Sequence, residues 1–251
     1  MAIELYGPRE LPLLRRAGRV AAETLRHVGD RLRVGISTRD IDLLVREDTA
    51  RRGGKPSQLG YKGFPAAVCT SRNQVVCHGI PSPTEQLADG DIVNVDVTTE
   101  FEGFHGDTSR TFALGAPRPE ARHVSDVAAR CLAAGIAAVR PGARLGDIGA
   151  AIEELATREG CSVVSAFGGH GIGRRMHMEP HVSHVGRRGS GLRLKPGMAF
   201  TIEPMINLGA PDVLVLDDGW TVITRDGSLS AQFEHTVYVT ESGVEVLTRL
   251  D

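Results

Sequence analysis

The stretch Gly90–Val97, GDIVNVDV, carries an acidic side chain in a run that otherwise has the composition of a buried strand. Side chains alternate along a strand, so the three valines face one side and Asp96 faces the other. An ionised carboxylate that faces an interior costs free energy unless a basic partner, a hydrogen-bond network or a cation compensates it. The rest of the chain must supply one of these.

The whole-chain composition limits the classes of protein. The 251 residues suffice for one large domain or two closely packed halves. With 29 Lys and Arg against 31 Asp and Glu, the chain has no basic stripe that would predict specific nucleic-acid binding. No apolar run is long enough to cross a membrane, and the start does not resemble a signal peptide, so a cytoplasmic protein is predicted. The four cysteines form no CxxC pair and are expected to be reduced.

Four helices are predicted from the spacing of apolar residues. Small and apolar side chains recur at steps of three and four over 11–28 and again over 124–138. Two further helices are predicted over Thr38–Arg52 and Gly146–Glu159, and each is followed by a glycine that can end it.

A shift of 107 residues superposes one half of the chain on the other. Seven of the 21 positions in 33–53 are identical to those in 140–160. The same shift aligns the stretch that ends at Asp96 with GMAFTIE, which ends at Glu203. A period this long exceeds that of solenoid repeats. We therefore predict one domain over 1–251 with duplicated halves at about 11–115 and 118–250, and both carboxylates at their shared centre.

Three more residues complete a candidate metal site. Asp107 opens the predicted second strand of a hairpin that follows Asp96, Glu234 interrupts the apolar pattern of SAQFEHTVYV, and His170 is flanked by glycines in FGGHGIG. A salt bridge would explain any one of the acids alone. Four acids with one imidazole favour divalent manganese, cobalt, iron or zinc, and two ions that share bridging carboxylates would balance the charge.

The ordered set of motifs resembles the bacterial type I methionine aminopeptidases from about Leu11 to Thr248. The segments are CHGIP, NVDV, GDTSRTF, GHGIG, HMEP, FTIEPM, DGWTV and SLSAQFEHT. The resemblance implies an α+β pita-bread fold, in which two pseudo-symmetric halves surround a curved antiparallel sheet with outer helices.

The resemblance also implies the roles of individual residues. The ligands of two divalent ions (Co, Mn, Fe, Zn or Ni) would be Asp96, Asp107, His170, Glu203 and Glu234, with Asp107 and Glu234 bridging. Glu203 would carry a proton as water attacks the peptide carbonyl. The substrate's free α-amine would bind at the metal held by Asp96. The histidines that contact the substrate and steady the intermediate would be His78 and His177.

The methionine pocket would be formed by Tyr61, Phe64, Cys69 and Trp220. Two neighbours depart from the family pattern, because Gln58 stands where a cysteine is common and Met176 where a phenylalanine is common. A monovalent cation near Asn73, Val75 and Ser230 is implied by the same similarity.

The predicted function is a metalloaminopeptidase that removes the initiator methionine from nascent polypeptides when the second residue is small. The ribosome is a further candidate partner, and a monomer is expected. Two alternatives stay open. One is an X-Pro aminopeptidase or prolidase, whose family shares the five ligands, and the other is a non-catalytic pita-bread binding module, since a fold does not itself confer activity.

Overall fold

A computed structural model describes residues 3–250. The predicted domain bounds 1–251 include Met1, Ala2 and Asp251, which lie outside the described residues, and the division of the chain into domains stays a prediction. Within residues 3–250, no helix is both long enough and apolar enough to span a membrane.

The described chain contains four α-helices and fourteen strands. The helices are α1 Leu11–Gly29, α2 Thr38–Arg51, α3 Pro119–Ala137 and α4 Leu145–Arg158. The strands are β1 Lys55–Pro56, β2 Cys69–Arg72, β3 Val75–Cys77, β4 Ile92–Phe101, β5 Phe104–Ala113, β6 Ser162–Val163, β7 Gly169–Gly171, β8 Met178–Val182, β9 Ala199–Ile202, β10 Met205–Asn207, β11 Val213–Val215, β12 Val222–Thr224, β13 Ser230–Val239 and β14 Val244–Val246.

The two halves repeat one plan, as the 107-residue shift predicts. The bounds of α2 and α4 differ by that shift at both ends, and the predicted bounds of both helices are correct to within one residue. The first turn of each helix contains an aspartate that accepts a hydrogen bond from the backbone N–H three residues earlier, Asp40 in α2 and Asp147 in α4. The bridges Ser37↔Gln86 and Arg144↔Arg193 are related by the same shift.

One antiparallel sheet joins the halves. Its main path runs β1-β4-β5-β13-β9-β7-β8, and a smaller sheet has the order β11-β12-β3. Helix α1 packs on β4 and β5, while α3 packs on β13. The long central strands β4, β5 and β13 therefore have a covered face that is largely apolar and a second face available for the site.

The predicted faces of β4 are confirmed, but the second strand of the hairpin starts earlier than expected. The three valines of β4 lie in the core, on the side of α1 and α2. Strand β5 begins at Phe104 rather than at Asp107, because Glu102 and Gly103 adopt positive φ (51° and 80°) and form a tight two-residue turn. Asp107 consequently pairs with Thr98, so it lies diagonally from Asp96 rather than directly opposite.

Candidate metal centre

The central strands bring acidic side chains and one histidine together at the seam between the halves. One ligand atom each from Asp107, His170 and Glu234 lies within 4.8 Å of the others, and this is the one such group of three found in residues 3–250. His170 Nε2 is 3.7 Å from Asp107 Oδ2 and 3.5 Å from Glu203 Oε1. Asp96 lines the same cavity. The structure therefore assembles all five predicted ligands.

Glycines let β7 approach its neighbours closely and hold His170 at this seam. A Cβ atom at Gly169 would lie 2.2 Å from the carbonyl oxygen of Thr201 in β9, and one at Gly171 would lie 2.1 Å from that of Glu179 in β8. The backbone N–H of His170 donates to Thr201 Oγ1 at 2.9 Å. Only residues without a side chain fit on either side of this histidine.

Hydroxyl and amide groups hold the carboxylates in place. Thr98 Oγ1 donates to Asp107 Oδ1 at 2.8 Å, and Thr201 Oγ1 donates to Glu203 Oε1 at 2.8 Å. Gln232 Nε2 donates to Glu203 Oε2 at 3.2 Å. These neutral donors fix the orientation of the acids without neutralising their charge.

No lysine or arginine of the described residues pairs with the acids of the cluster. No ion pair among residues 3–250 joins Lys or Arg to any of the four acids, so the salt-bridge explanation fails for them. A buried acid elsewhere shows the ordinary arrangement, because Asp42 accepts from Arg39 Nη1 at 3.0 Å and from Arg46 Nε at 2.8 Å. The site acids thus need a different source of positive charge.

The pKa values of the site residues reflect the absence of a basic partner. Burial, followed by the charges of Asp107 and Glu203, raises the pKa of Asp96 well above its ordinary value. Burial raises the pKa of Asp107 to about 6 and, together with the charge of Asp107, that of Glu203 to about 8. Burial and the same neighbours also raise the pKa of Glu234. Burial lowers the pKa of His170 to about 3, so its imidazole is neutral and can coordinate a metal ion.

The residues fit divalent metal ions. The buried atoms Asp96 Oδ1 and Glu234 Oε1 accept no hydrogen bond from any group in residues 3–250. Buried acceptors without a donor are unfavourable and rare. Carboxylate oxygens with one imidazole suit manganese, cobalt, iron or zinc, and a cation would satisfy the open oxygens and reverse the repulsion among the acids.

The acids lie in a cavity of about 270 Å³ that is also lined by all the predicted substrate-contacting residues. These are His78, His177, Tyr61, Phe64, Cys69 and Trp220. Phe64 packs edge-on against Trp220 with ring centroids 5.1 Å apart, and both adjoin the buried Cys69. The result is an apolar wall beside a polar centre, which is typical of a small-molecule or side-chain pocket.

The two predicted histidines differ in their surroundings. His78 follows β3 with a positive φ of 56°, which is strained for a residue with a Cβ atom, and its ring lies edge-on to Phe167 and Trp220. His177 is an exposed residue that lines the cavity, and its ring stacks on Tyr61 with centroids 5.0 Å apart. Burial lowers the pKa of His78, so its imidazole is neutral near pH 7.

Sequence reasoning missed several residues that shape this site. Thr98 and Thr201 orient ligands, and Lys62 lines the cavity. His184 accepts a hydrogen bond from the backbone N–H of Glu203 at 3.1 Å. The only feature of the sequence that could have identified the two threonines is side-chain alternation along a strand. Thr98 shares the face of Asp96, and Thr201 lies two residues before Glu203.

A larger and more open groove, of about 690 Å³, lies on the other face of the central strands. It is lined by residues such as Thr108, Arg110, Phe233 and His235. These side chains alternate with the metal-ligand candidates along β5 and β13. None of the five clustered ligands faces this groove, so its size does not make it the chemical centre.

This fold and this acidic centre define a metal-dependent hydrolase. A family model described as metallopeptidase family M24 matches residues 12–241. The chain belongs to this family.

Relatives match over nearly the full length. "Methionine aminopeptidase A" of Synechocystis is 51% identical over 246 residues, which cover 98% of this chain and 97% of that protein. The crystal structure of methionine aminopeptidase from Rickettsia prowazekii has a TM-score of 0.97 and 45% identity, and the match covers 99% of this chain and 100% of that one. The predicted pita-bread fold is confirmed by this agreement.

The comparisons do not favour the alternatives. Prolidase from Pyrococcus furiosus has a TM-score of 0.77 at 19% identity, and the match covers 98% of this chain but 66% of that one. At this identity the likeness shows the shared fold alone. The high-identity, full-length relatives carry the name methionine aminopeptidase instead.

Proposed function

We propose that the chain is a metalloaminopeptidase that removes N-terminal methionine from peptides and nascent polypeptides when the second residue is small. The observation that carries this proposal is a single cavity that joins uncompensated buried acids, two further histidines and an apolar wall. The names of the full-length relatives support the same activity.

The proposed ligands of two divalent ions are the four acids and the imidazole of the cluster, with Asp107 and Glu234 bridging. The candidate ions are cobalt, manganese, iron, zinc and nickel. When bound, such ions lower the pKa of a coordinated water and polarise a carbonyl oxygen. The support for ions at this position is the pair of unpartnered oxygens on Asp96 and Glu234.

Glu203 is proposed as the proton carrier of the reaction. Its second carboxylate oxygen is tied to Gln232 and its first to Thr201, so the group is held in one orientation. A carboxylate held in one orientation beside the reacting groups can accept a proton and return it. These properties suit transfer of a proton from attacking water to the leaving amine.

His78 and His177 are proposed to contact the substrate across the cavity. The neutral imidazole of His78 can donate a hydrogen bond without repelling a nearby cation. The ring of His177 lines the same cavity, where stacking on Tyr61 limits its rotation. Donors aimed at the scissile carbonyl or amide would stabilise the charge that develops there.

The apolar wall is proposed to select methionine. Phe64, Cys69 and Trp220 present soft, apolar surface that suits an unbranched thioether. Tyr61 lines the same cavity. Buried Met176 adds a flexible side chain to the lining, which preserves its apolar character.

A monovalent cation near Asn73, Val75 and Ser230 is also proposed. Ser230 Oγ is buried without a hydrogen-bond donor in the described chain, and so is Oδ1 of Asn207, its partner across β10 and β13. Two open oxygens on paired residues suit a weakly bound cation. The ribosome as a partner, a cytoplasmic location and a monomeric state are parts of the same proposal.

The test is peptide hydrolysis by the metal-stripped protein, with each of the five candidate ions restored in turn. Met-Ala-Ser should release methionine only after an ion is added, and Leu-Ala-Ser should react far more slowly. A proline-dipeptide library tests the prolidase alternative. Faster cleavage of that library, or no methionine release with any of the ions, would contradict the proposal.

A further inference from the structure

Gln58 closes a gap in the sheet next to a proposed metal ligand. Along its outer edge, β4 pairs with β2 over Val93–Asp96 and with β1 at Thr99 and Glu100. Neither strand pairs with the two residues in between. A strand edge without a partner leaves backbone N–H and C=O groups to be satisfied in another way.

The side-chain amide of Gln58 satisfies this edge. Its Nε2 donates to the carbonyl oxygen of Asp96 at 2.9 Å, and its Oε1 accepts from the N–H of Thr98 at 3.4 Å. The preceding residue continues the pattern, since Ser57 N donates to the carbonyl of Thr98 at 2.9 Å. A primary amide carries the same donor and acceptor as a peptide unit. Gln58 thus stands in for the missing piece of strand.

The engaged amide leaves the pocket apolar. Gln58 is 7% exposed and lines the cavity, with Nε2 3.9 Å from Cys69 Sγ. Because both polar ends of the amide are used by β4, the methylene groups of Gln58 remain to contact a bound side chain. A cysteine, which is common here in the family that the sequence resembles, is too short to span Asp96 and Thr98.

We propose that Gln58 is a positioning residue for Asp96, which fixes the backbone of this ligand and thereby sets the affinity of the ion it holds. This inference rests on the proposed metal site. Thr98 extends the effect, because its backbone N–H donates to Gln58 Oε1 while its hydroxyl donates to Asp107 Oδ1 at 2.8 Å. One side chain therefore steadies two of the acids.

The experiment compares Q58M and Q58N with the wild-type chain and with Q86M. Met has the length of Gln but no amide, and Asn keeps the amide but is one methylene too short to reach both groups. Gln86 is exposed, so Q86M applies the same chemical change away from the site. Each metal-stripped protein is titrated with Co²⁺, and the visible absorption of the bound ion is followed.

Both Gln58 variants should bind Co²⁺ about 10- to 100-fold more weakly, as found when the partners that orient metal ligands are removed. Q86M should titrate like the wild type. At saturating Co²⁺, kcat on Met-Ala-Ser should recover towards the wild-type value, because Gln58 acts through occupancy of the site. If Q58M does not fold, Q58N decides the question in the same titration.

Wild-type Co²⁺ affinity in either folded variant would overturn the inference. If the affinity is unchanged and only the KM for Met-Ala-Ser rises, Gln58 is only part of the pocket wall. The proposed function fails separately. If the wild-type protein cleaves no methionyl peptide, the Co²⁺ titration still decides the role of Gln58.

Discussion

Replacement of Gly169 by alanine tests whether the close packing of β7 positions the metal ligands. The φ of Gly169 lies outside the left-handed region, so the effect of a new Cβ atom is steric. That atom would lie 2.2 Å from the carbonyl oxygen of Thr201, whereas real Cβ atoms essentially never come closer than 3.0 Å. The two strands must therefore separate locally by at least about 0.8 Å.

This displacement acts on two ligands at once. The Thr201 hydroxyl accepts from the N–H of His170 and donates to the carboxylate of Glu203. A shift near 1 Å at reacting groups costs about 10²-fold in rate. Overpacking in a well-packed sheet costs about 1–3 kcal/mol of unfolding free energy. We expect G169A to fold, to lose about 10²-fold in kcat/KM on Met-Ala-Ser, and to bind Co²⁺ more weakly.

The matched control is G243A, because a Cβ atom at Gly243 meets no heavy atom of the described residues within 4 Å. Hydrolysis of Met-Ala-Ser, Co²⁺ titration and urea unfolding are measured on both variants. G243A should match the wild type in all three. The reasoning is refuted if G169A keeps both the activity and the Co²⁺ affinity of G243A, since the glycine would then have no part in holding the site.

Three further predictions concern the same centre. H78A and H177A should each lower turnover of Met-Ala-Ser by about 10²-fold, because the two histidines are proposed to contact substrate rather than metal. Elemental analysis should find their metal content unchanged, and unaltered turnover would remove the histidines from the mechanism. D107A should lose both metal and activity, and an active, metal-replete variant would contradict the bridging role. Since the pKa of Asp107 is raised to about 6 and that of Glu203 to about 8, ions must displace protons from these acids at lower pH. Co²⁺ affinity measured by calorimetry should therefore rise from pH 6 to pH 8, by about one log unit per pH unit for each proton displaced, and a flat profile would contradict this linkage.

Local patterns in the sequence predicted the helices well. The apolar spacing and the glycines that end α2 and α4 are local signals, and the structure places both helices within one residue of the expectation. The 107-residue shift also predicted that α2 and α4 correspond, because a duplicated chain keeps the order of its elements. The predicted start of the second hairpin strand at Asp107 was wrong, since a tight turn at Glu102 and Gly103 lets the strand begin at Phe104.

The amino-acid order by itself determined which face of each strand carries acids and which residues are candidate ligands, because side-chain alternation depends only on neighbours along the chain. Only the tertiary structure decided which acids meet and that no arginine of the described residues neutralises them. It also decided that Gln58 holds the backbone of Asp96, and that Thr98 and Thr201 hold the carboxylates of other acids in the cluster. Those contacts join residues far apart in the chain. Their geometry depends on strand pairing and on how closely glycines allow strands to approach, which no local pattern records.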